Sequence, residues 1–280
     1  MRKIYIWYRS LSNQFRDSVY FSGTFVGLIS SILSTTGISL GNWNGSNIWM
    51  RIIVVLGVWI FIFLAIYFLI GKIFKEKIKI IIHQTPIYIG RGDIFSEEGL
   101  KVIGCDNHFD SRVDDVVISK KSLQGQLIMH HAKKEEIIKT IKNAAIRLNI
   151  GKDESGLYNF PLGTIVPYIS SIDKQTYLLL SMTKLNSHHE AHTNMVEYEQ
   201  MLMKMWKEIS RVYAMNEVVI PLLGAGIQRF DDGPKEKESL LKCMLCTLNS
   251  SGISLKARIK IVLFDNTKDI SLYEYKNLIK

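Results

Sequence analysis

The sequence predicts an α/β protein in which a two-helix membrane hairpin, residues 1–77, precedes one three-layer α/β/α domain, residues 78–280. Two long stretches without any charge, residues 18–50 and 52–71, predict the hairpin. From residue 78 onward, short apolar runs alternate with amphipathic helical patterns, which predicts a layered domain. With 280 residues, the chain is long enough for both parts.

The second uncharged stretch, IIVVLGVWIFIFLAIYFLIG, is the stronger transmembrane prediction. A helix over residues 48–70 is about 34 Å long, enough for a hydrocarbon core of about 30 Å, and Arg51 near its end can reach the interface. The first span, residues 19–40, is weaker because it is rich in Ser, Thr and Gly. A signal peptide is the alternative, but no A-x-A-like cleavage motif follows, so we favour a hairpin turned by GNWNGSN, residues 41–47.

The charge distribution predicts a multi-pass protein of the cell membrane with both termini in the cytoplasm. Residues 1–79 hold nine Lys and Arg and two acids, a net +7 of the total +9. These cations flank the two spans, while the connecting loop has none. Membrane orientation explains the basic excess, so the bilayer is a predicted partner and nucleic acid is not.

Small residues recur at every fourth position of the first span: Gly23, Gly27, Ser31, Thr35 and Ser39. In lipid, such a stripe allows helices to approach closely. Packing against the second helix of the same chain is one explanation. Self-association between chains, which would make the protein a homo-oligomer, is the other, and the two can coexist.

The second domain shows strand and helix patterns in alternation. Strands are predicted at residues 78–83, 87–90, 100–105, 163–168, 176–182, 217–223 and 258–264. Helices are predicted at residues 135–148 and 194–214, and after Asp232-Gly233-Pro234, where proline indicates a helix start. The longest of these helices has a stripe expected in the core: Tyr198, Met201, Leu202, Met205, Trp206, Ile209, Val212 and Tyr213.

Cysteine and histidine patterns do not predict a metal site or a cofactor. Cys243 and Cys246 form a lone CxxC, so with Cys105 they are expected to be buried thiols. In SHHEAH, residues 187–192, His188 and His192 are four residues apart. The glutamate does not directly follow the first histidine, as zinc-protease chemistry requires, so a polar loop is favoured.

The stretch EVVIPLLGAGIQRF, residues 217–230, ends a predicted strand in Leu223-Gly224-Ala225-Gly226. Backbone amides after a strand can form a nest for an anion, and glycine allows a phosphate to approach them. Such a nest would lie at the carboxyl edge of the sheet, where α/β folds commonly bind ligands. A plain turn is the alternative.

Together with IYIGRGDIF and PLGTIV, this stretch resembles the macro domain, a fold that binds ADP-ribose. That family has Gly-Asp-Ile after an early strand, and a small-residue loop followed by an aromatic residue after a late one. Here these are Gly92-Asp93-Ile94 and Gly224-Ala225-Gly226-Ile227 with Phe230. The resemblance covers roughly residues 78–265 and implies a mixed sheet.

The resemblance also implies a binding site. Asp93 would accept a hydrogen bond from the adenine amino group, with the Ile94 backbone nearby. The loop from Leu223 to Ile227 would cradle the diphosphate: Leu223, Gly224, Ala225, Gly226 and Ile227. Phe230 would pack near the distal ribose.

One part of the sequence departs from macro domains that hydrolyse ADP-ribose linkages, which usually carry an asparagine-rich strand end and a glycine triplet. In VIGCDNHFDSRVDDVVISKKSLQGQLI, Asn107 stands for the asparagine, and Gly125 is the only glycine near the expected first phosphate loop. Asp106 can contact a ligand or belong to a solvated loop. The missing triplet favours binding of an ADP-ribose derivative, with a membrane-tethered ADP-ribosyl hydrolase as the alternative.

Two spans before a macro domain resemble the membrane effectors of the bacterial Thoeris antiphage system. This resemblance implies a partner TIR-domain enzyme that converts NAD into a nucleotide-derived second messenger, histidine joined to ADP-ribose. The macro domain would sense the messenger, and the membrane part would then cause growth arrest or cell death. A constitutively assembled scaffold with an empty macro fold is a third interpretation.

Overall fold

The computed structural model describes residues 12–35, 48–73, 77–185, 191–226, 229–231, 233–264 and 270–277. The chain divides into two compact units. Residues 1–78 together with 271–278 form the first, here called the helical unit, and residues 79–270 form the second, the sheet unit.

The helical unit contains two long helices, α1 (Asn13–Thr35) and α2 (Ile48–Ile73). Among the described residues, only α2 is long and apolar enough to cross a membrane. The predicted hairpin of two spans is therefore not confirmed. The first helix begins at Asn13, earlier than predicted, and so includes Arg16 and Asp17 among its polar residues. The predicted turn and the end of the predicted first span, residues 36–47, lie outside the described residues.

Large side chains contribute to the contact between the two long helices. The rings of Phe15 and Phe63 meet edge to face at 5.3 Å, and Gln14 Nε2 donates to the Tyr67 carbonyl oxygen at 2.8 Å. Gly23 and Gly27 are exposed, and a Cβ at either would meet no described atom within 4 Å. Packing against the described residues therefore does not explain these two glycines.

A short 3₁₀ helix near the C-terminus, Leu272–Asn277, caps the first helix of the same unit. The Glu274 carboxylate accepts hydrogen bonds from the amides of Asn13 (3.0 Å) and Gln14 (3.5 Å). The Tyr273 hydroxyl donates to Asp17 Oδ2 at 2.6 Å. A carboxylate at a helix N-terminus satisfies its unpaired amides and complements its dipole, so residues 273 and 274 stabilise the start of α1.

Nine described strands form one mixed sheet in the order β1-β2-β9-β7-β3-β5-β6-β8, with β4 paired to β5. The strands are β1 (Lys77–Ile82), β2 (Thr85–Arg91), β3 (Leu100–Asp106), β4 (Ile165–Ile169), β5 (Thr176–Leu185), β6 (Ala191–Thr193), β7 (Val218–Pro221), β8 (Arg229–Phe230) and β9 (Ile259–Leu263). The remaining helices are α3 (Leu123–Gln126), which continues into a π turn (Leu127–His131), α4 (Lys134–Arg147), α5 (Met195–Val212) and α6 (Lys237–Ser251).

Helices flank this sheet as the sequence predicts. Ile137 and Ile141 of α4 belong to the same core cluster as Ile103 and Cys105 of β3. On the other helices, Trp206 Nε1 of α5 donates to Thr247 Oγ1 of α6 at 3.1 Å. The predicted mixed α/β fold is confirmed.

The predicted core stripe of α5 is confirmed for most of its length, but its last two residues are not fully buried. Its buried residues are Tyr198, Met201, Leu202, Met205, Trp206 and Ile209, whereas Val212 and Tyr213 are half-buried. Asn194 caps the helix by accepting from the Glu197 amide at 2.9 Å. The last helix starts at Lys237, so Pro234 precedes it and does not occupy its first turn.

The sheet topology brings several strand ends to one edge. Strands β2, β9, β7, β3 and β5 are mutually parallel along this path. Their carboxyl ends therefore share an edge, where the following loops lie side by side. The parallel core of the sheet positions the candidate site.

Candidate functional site

A cavity of about 480 Å³ opens at this carboxyl edge. Loops and strand ends from six parts of the chain line it: residues 92–94; 104–106; 117–119, 121–124 and 126; 182–183; 221–226; and 262 and 264. A cavity of this volume is within the range of about 300–1,000 Å³ that small-molecule sites occupy.

The Gly-Asp-Ile loop forms one wall. The Gly92 amide donates to the Leu263 carbonyl oxygen at 3.1 Å, which fastens this loop to the end of β9. Asp93 caps the short 3₁₀ turn Ile94–Ser96, with Oδ1 accepting from the Phe95 amide at 3.1 Å. Ile94 is buried beneath, while Asp93 is exposed at the cavity. One carboxylate oxygen thus orients the side chain and the other is available to a ligand.

The glycine loop after β7 forms a second wall, with Leu223, Gly224, Ala225 and Gly226 all in the lining. Gly224 has a φ of 79°, which only glycine adopts readily. Gly226 is exposed, and a Cβ there would meet no described atom within 4 Å. The loop leaves open space beside its backbone. Ile227, also predicted for the site, lies outside the described residues.

The structure does not place Asn107 in the cavity lining. Asn107 is buried, its Nδ2 donates to Asn159 Oδ1 at 3.0 Å, and its amide donates to the Thr183 carbonyl oxygen at 2.8 Å. These bonds hold the chain as it leaves β3.

Gly125 is also absent from the lining, for a different reason. A Cβ on Gly125 would lie 2.2 Å from the Ser119 carbonyl oxygen, and the Gly125 amide already donates to Ser122 Oγ at 3.0 Å. The glycine is needed so that residues 119 and 125 can pack together. It does not present its amide to the cavity.

Phe230 likewise lies outside the lining. It is buried and meets Tyr198 edge to face, with ring centroids 5.7 Å apart. The Tyr198 hydroxyl in turn donates to the Leu223 carbonyl oxygen at 2.9 Å. Phe230 therefore supports the glycine loop indirectly, through the tyrosine that holds it.

The aromatic residue in the described cavity wall is Phe264, which was not among the predicted site residues. It follows β9 directly and is 63% exposed. Because β9 lies between β2 and β7, Phe264 is flanked by the loops that carry Asp93 and Gly224. The signal in the sequence is an aromatic residue at the end of a predicted strand, RIKIVLF.

Asp106 is a buried carboxylate in the lining that organises the chain after β3. It accepts hydrogen bonds from Gln124 Nε2 (2.9 Å), the His108 amide (2.8 Å) and the Asp110 amide (3.1 Å). Burial raises the pKa of Asp106, although the bonds from Gln124 and His108 oppose that change. Asp106 is thus a structural anchor of this wall and not a solvated loop residue.

Metal-ligating side chains do not gather in the described part of the chain into any group of three that could hold an ion. His192 Nδ1 lies 2.8 Å from Asp231 Oδ1, while His188 is outside the described residues. Cys105 is buried, as expected, but Cys243 is half-buried and Cys246 is exposed. Burial, followed by the charge of Glu199, raises the pKa of Cys243 to about 12.

This mixed sheet with a ligand-sized cavity at its carboxyl edge defines a macrodomain. A solved Oceanobacillus iheyensis macrodomain variant with ADPR is 15% identical, with a TM-score of 0.50, covering 72% of this chain and 96% of that chain. A second variant of that macrodomain is 16% identical, with a TM-score of 0.50, covering 72% of this chain and 95% of that chain. At these identities the likeness shows the fold.

The family described as Thoeris protein ThsA, Macro domain, matches residues 87–264, more than half of the chain, and the protein belongs to this family. It is also similar to Thoeris protein ThsA of Bacillus amyloliquefaciens (strain Y2), with 29% identity over 218 residues, 75% of this chain and 73% of that protein. Membership implies a role in antiphage defence and a ligand of ADP-ribose type.

Proposed function

We propose that this protein is a membrane-anchored sensor and effector of antiphage defence whose cavity binds an ADP-ribose-type signal. The observation that carries the proposal is a single cavity in which Asp93, the 223–226 loop and Phe264 are brought together from three distant parts of the sequence. Each of these features suits one portion of an ADP-ribose molecule.

The adenine portion suits the wall formed by Asp93 and Phe264. Adenine carries an exocyclic amine, which a carboxylate oxygen accepts well, and Asp93 Oδ1 is already occupied by the Phe95 amide. An exposed aromatic ring such as Phe264 offers a stacking surface, an interaction worth about 1–3 kcal/mol per base. Together they favour an adenine nucleotide over a ligand without a base.

The diphosphate portion suits the glycine loop. Successive backbone amides in a turn form a concave donor surface for anions, and the open space at Gly226 allows phosphate oxygens to come near. Family membership supports histidine joined to ADP-ribose, made by a TIR-domain enzyme, as the signal. No other cofactor is part of the proposal.

Binding without hydrolysis is the function we favour. Asn107, the residue that corresponds to the asparagine of hydrolytic macro domains, bonds to Asn159 and is outside the lining. The sequence also lacks the glycine triplet of those enzymes. The second candidate, a membrane-tethered ADP-ribosyl hydrolase, would need Asn107 to reach the distal ribose.

The membrane part of the proposal rests on α2 and on the exposed glycines of α1. The second helix is apolar and long enough to cross a bilayer, and the surrounding cations favour cytoplasmic termini. A Cβ at Gly23 or Gly27 would meet no described atom within 4 Å, which supports the use of these glycines between chains. Ligand can drive such assembly only through a higher affinity for the assembled form, and a tenfold preference supplies about 1.4 kcal/mol per protomer.

Calorimetry of the full chain in detergent, with ADP-ribose and with its histidine conjugate, tests the function. We expect both to bind, the conjugate more tightly, and chromatography of the mixture to show both ligands intact. Release of free ADP-ribose from the conjugate or from an ADP-ribosylated protein would instead support the hydrolase. Absence of binding, with no ligand-dependent change in thermal stability, would support an empty scaffold.

Substitution Gly27→Leu tests assembly separately. We expect ligand-dependent oligomers, measured by light scattering in detergent, to be lost while ligand affinity stays unchanged, because leucine keeps neighbouring helices apart. Phe25→Leu, at an exposed position of the same helix, is the matched control and should assemble normally. Normal oligomers of Gly27→Leu would refute the assembly proposal and leave the binding proposal intact.

A further inference from the structure

The segment 117–126, most of which lines the cavity, contains two lysines between two serines, in the sequence SKKS, residues 119–122. Ser119, Lys121 and Ser122 all line the cavity. The Ser119 carbonyl oxygen accepts from both the amide (3.0 Å) and the hydroxyl (2.7 Å) of Ser122, which closes residues 119–122 into a tight turn. Lys121 lies within this turn.

The turn is fixed at its base and on both sides of the lysine. Gly125 packs directly beneath the Ser119 carbonyl group, where a Cβ would be only 2.2 Å away. The Lys121 amide donates to Ser119 Oγ at 3.3 Å, and the Lys121 carbonyl oxygen accepts from Gln126 Nε2 at 3.1 Å. The backbone that carries the Lys121 side chain is therefore held in place before any ligand arrives.

The two neighbouring lysines differ in their partners. Lys120 Nζ lies 3.0 Å from Asp115 Oδ2, and the Lys120 amide donates to Asp115 Oδ1 at 2.8 Å. Lys121 forms no ion pair with any described residue, and it is the one that lines the cavity. Its ammonium group is thus available to a ligand.

The other charged residues of the described lining are acidic, so the positive charge of Lys121 is important for an anionic ligand. Apart from Lys121, the charged residues among the described lining are two carboxylates, Asp93 and Asp106. Carboxylates repel a diphosphate, which carries two negative charges of its own, so the lining without Lys121 would oppose its binding. Lys121 is the group that offsets this repulsion.

We infer that Lys121 and the Ser119 hydroxyl form a phosphate-binding element facing the glycine loop. The Ser122 hydroxyl proton is already donated to Ser119, whereas Ser119 Oγ only accepts and keeps its proton for a ligand oxygen. The inference deepens the proposed function and rests on it. In a glycine-rich wall, backbone amides would bind the phosphate oxygens. Here the charge of a side chain binds them, so the cavity selects for phosphate by charge.

Calorimetry of the full chain in detergent with Lys121→Gln and its neighbour Lys120→Gln tests this element. We expect Lys121→Gln to weaken ADP-ribose binding about tenfold and to reduce its dependence on salt, since an ammonium–phosphate contact is lost. Lys120→Gln should change affinity less than about twofold, because its exposed pair with Asp115 contributes little. Adenosine, which has no phosphate, should bind both variants and the wild type alike, and Lys121→Arg should retain affinity for ADP-ribose.

The outcomes separate this inference from the proposed function. If wild-type protein binds ADP-ribose and Lys121→Gln binds it equally well, the phosphate element is refuted and the sensor proposal stands. If Lys121→Gln weakens adenosine as much as ADP-ribose, the lysine acts on loop structure and the inference is also refuted. If the wild type binds neither ADP-ribose nor its histidine conjugate, the sensor proposal fails and this inference fails with it.

Discussion

Gly125 and Gly226 were predicted to serve the same ligand, yet they occupy opposite environments. A Cβ on Gly125 would lie 2.2 Å from a backbone oxygen, while one on Gly226 would meet no described atom within 4 Å. The first glycine is required by another part of the chain, and the second leaves space beside the cavity. A glycine at a loop therefore indicates close approach, but it does not indicate what approaches.

Among the substitutions that test this comparison, Gly226→Glu should have the largest effect. It places bulk and negative charge where the diphosphate is proposed to lie, and like charges brought together cost several kcal/mol, so we expect affinity for ADP-ribose to fall about 100-fold or more. Thermal unfolding should be unchanged because the position is open. Calorimetry measures the affinity for ADP-ribose, and an affinity equal to that of the wild type would exclude the glycine loop from the site.

The substitution Gly125→Ala should act on stability instead. The added methyl group must displace the Ser119 carbonyl group, and overpacking of this kind costs about 1–3 kcal/mol. Urea unfolding followed by circular dichroism measures the loss. Gly226→Ala is the matched control and should stay within about 0.5 kcal/mol of wild type. Equal stabilities for the two alanine variants would contradict the claim that packing requires a glycine at position 125 but not at position 226.

How far the site could be predicted is clearest from the two phenylalanines. The resemblance to macro domains predicts Phe230 for the site, whereas the structure places Phe264 in the cavity lining. The choice between them depends on sheet order, since β9 lies between β2 and β7 while β8 ends the order, and no local pattern reports which strands are neighbours. By contrast, Asp93 and Gly224, which the resemblance also predicts for the site, do lie in the cavity lining, and their contacts with a ligand stay a prediction.

The elements themselves were more predictable than their ends. Helix α5 has a continuous apolar stripe at helical spacing, and its bounds were predicted to within two residues. Helix α1 begins at Asn13, six residues before the predicted span, because its first amides are capped by Glu274. A cap contributed from the far end of the chain leaves no trace in the local sequence.

The substitution Asp93→Ala should have the smallest effect of the series, and it sharpens the comparison between the base-binding and phosphate-binding walls. We expect about a tenfold loss of ADP-ribose affinity, the usual worth of one hydrogen bond to a charged group. The hypoxanthine analogue of ADP-ribose lacks the exocyclic amine and serves as the matched ligand. The wild type should prefer the adenine form and the variant should not; a preference that survives the substitution would contradict the role of Asp93.

The Glu274 cap on α1 comes from a segment that is remote in the sequence. The helical unit is assembled from residues 1–78 and 271–278, so the sheet unit lies between its two parts along the chain. The first helix can therefore acquire this cap only after residues 79–270 have been synthesised. A chain truncated after Phe264 would lack Glu274 and leave the first amides of α1 without it.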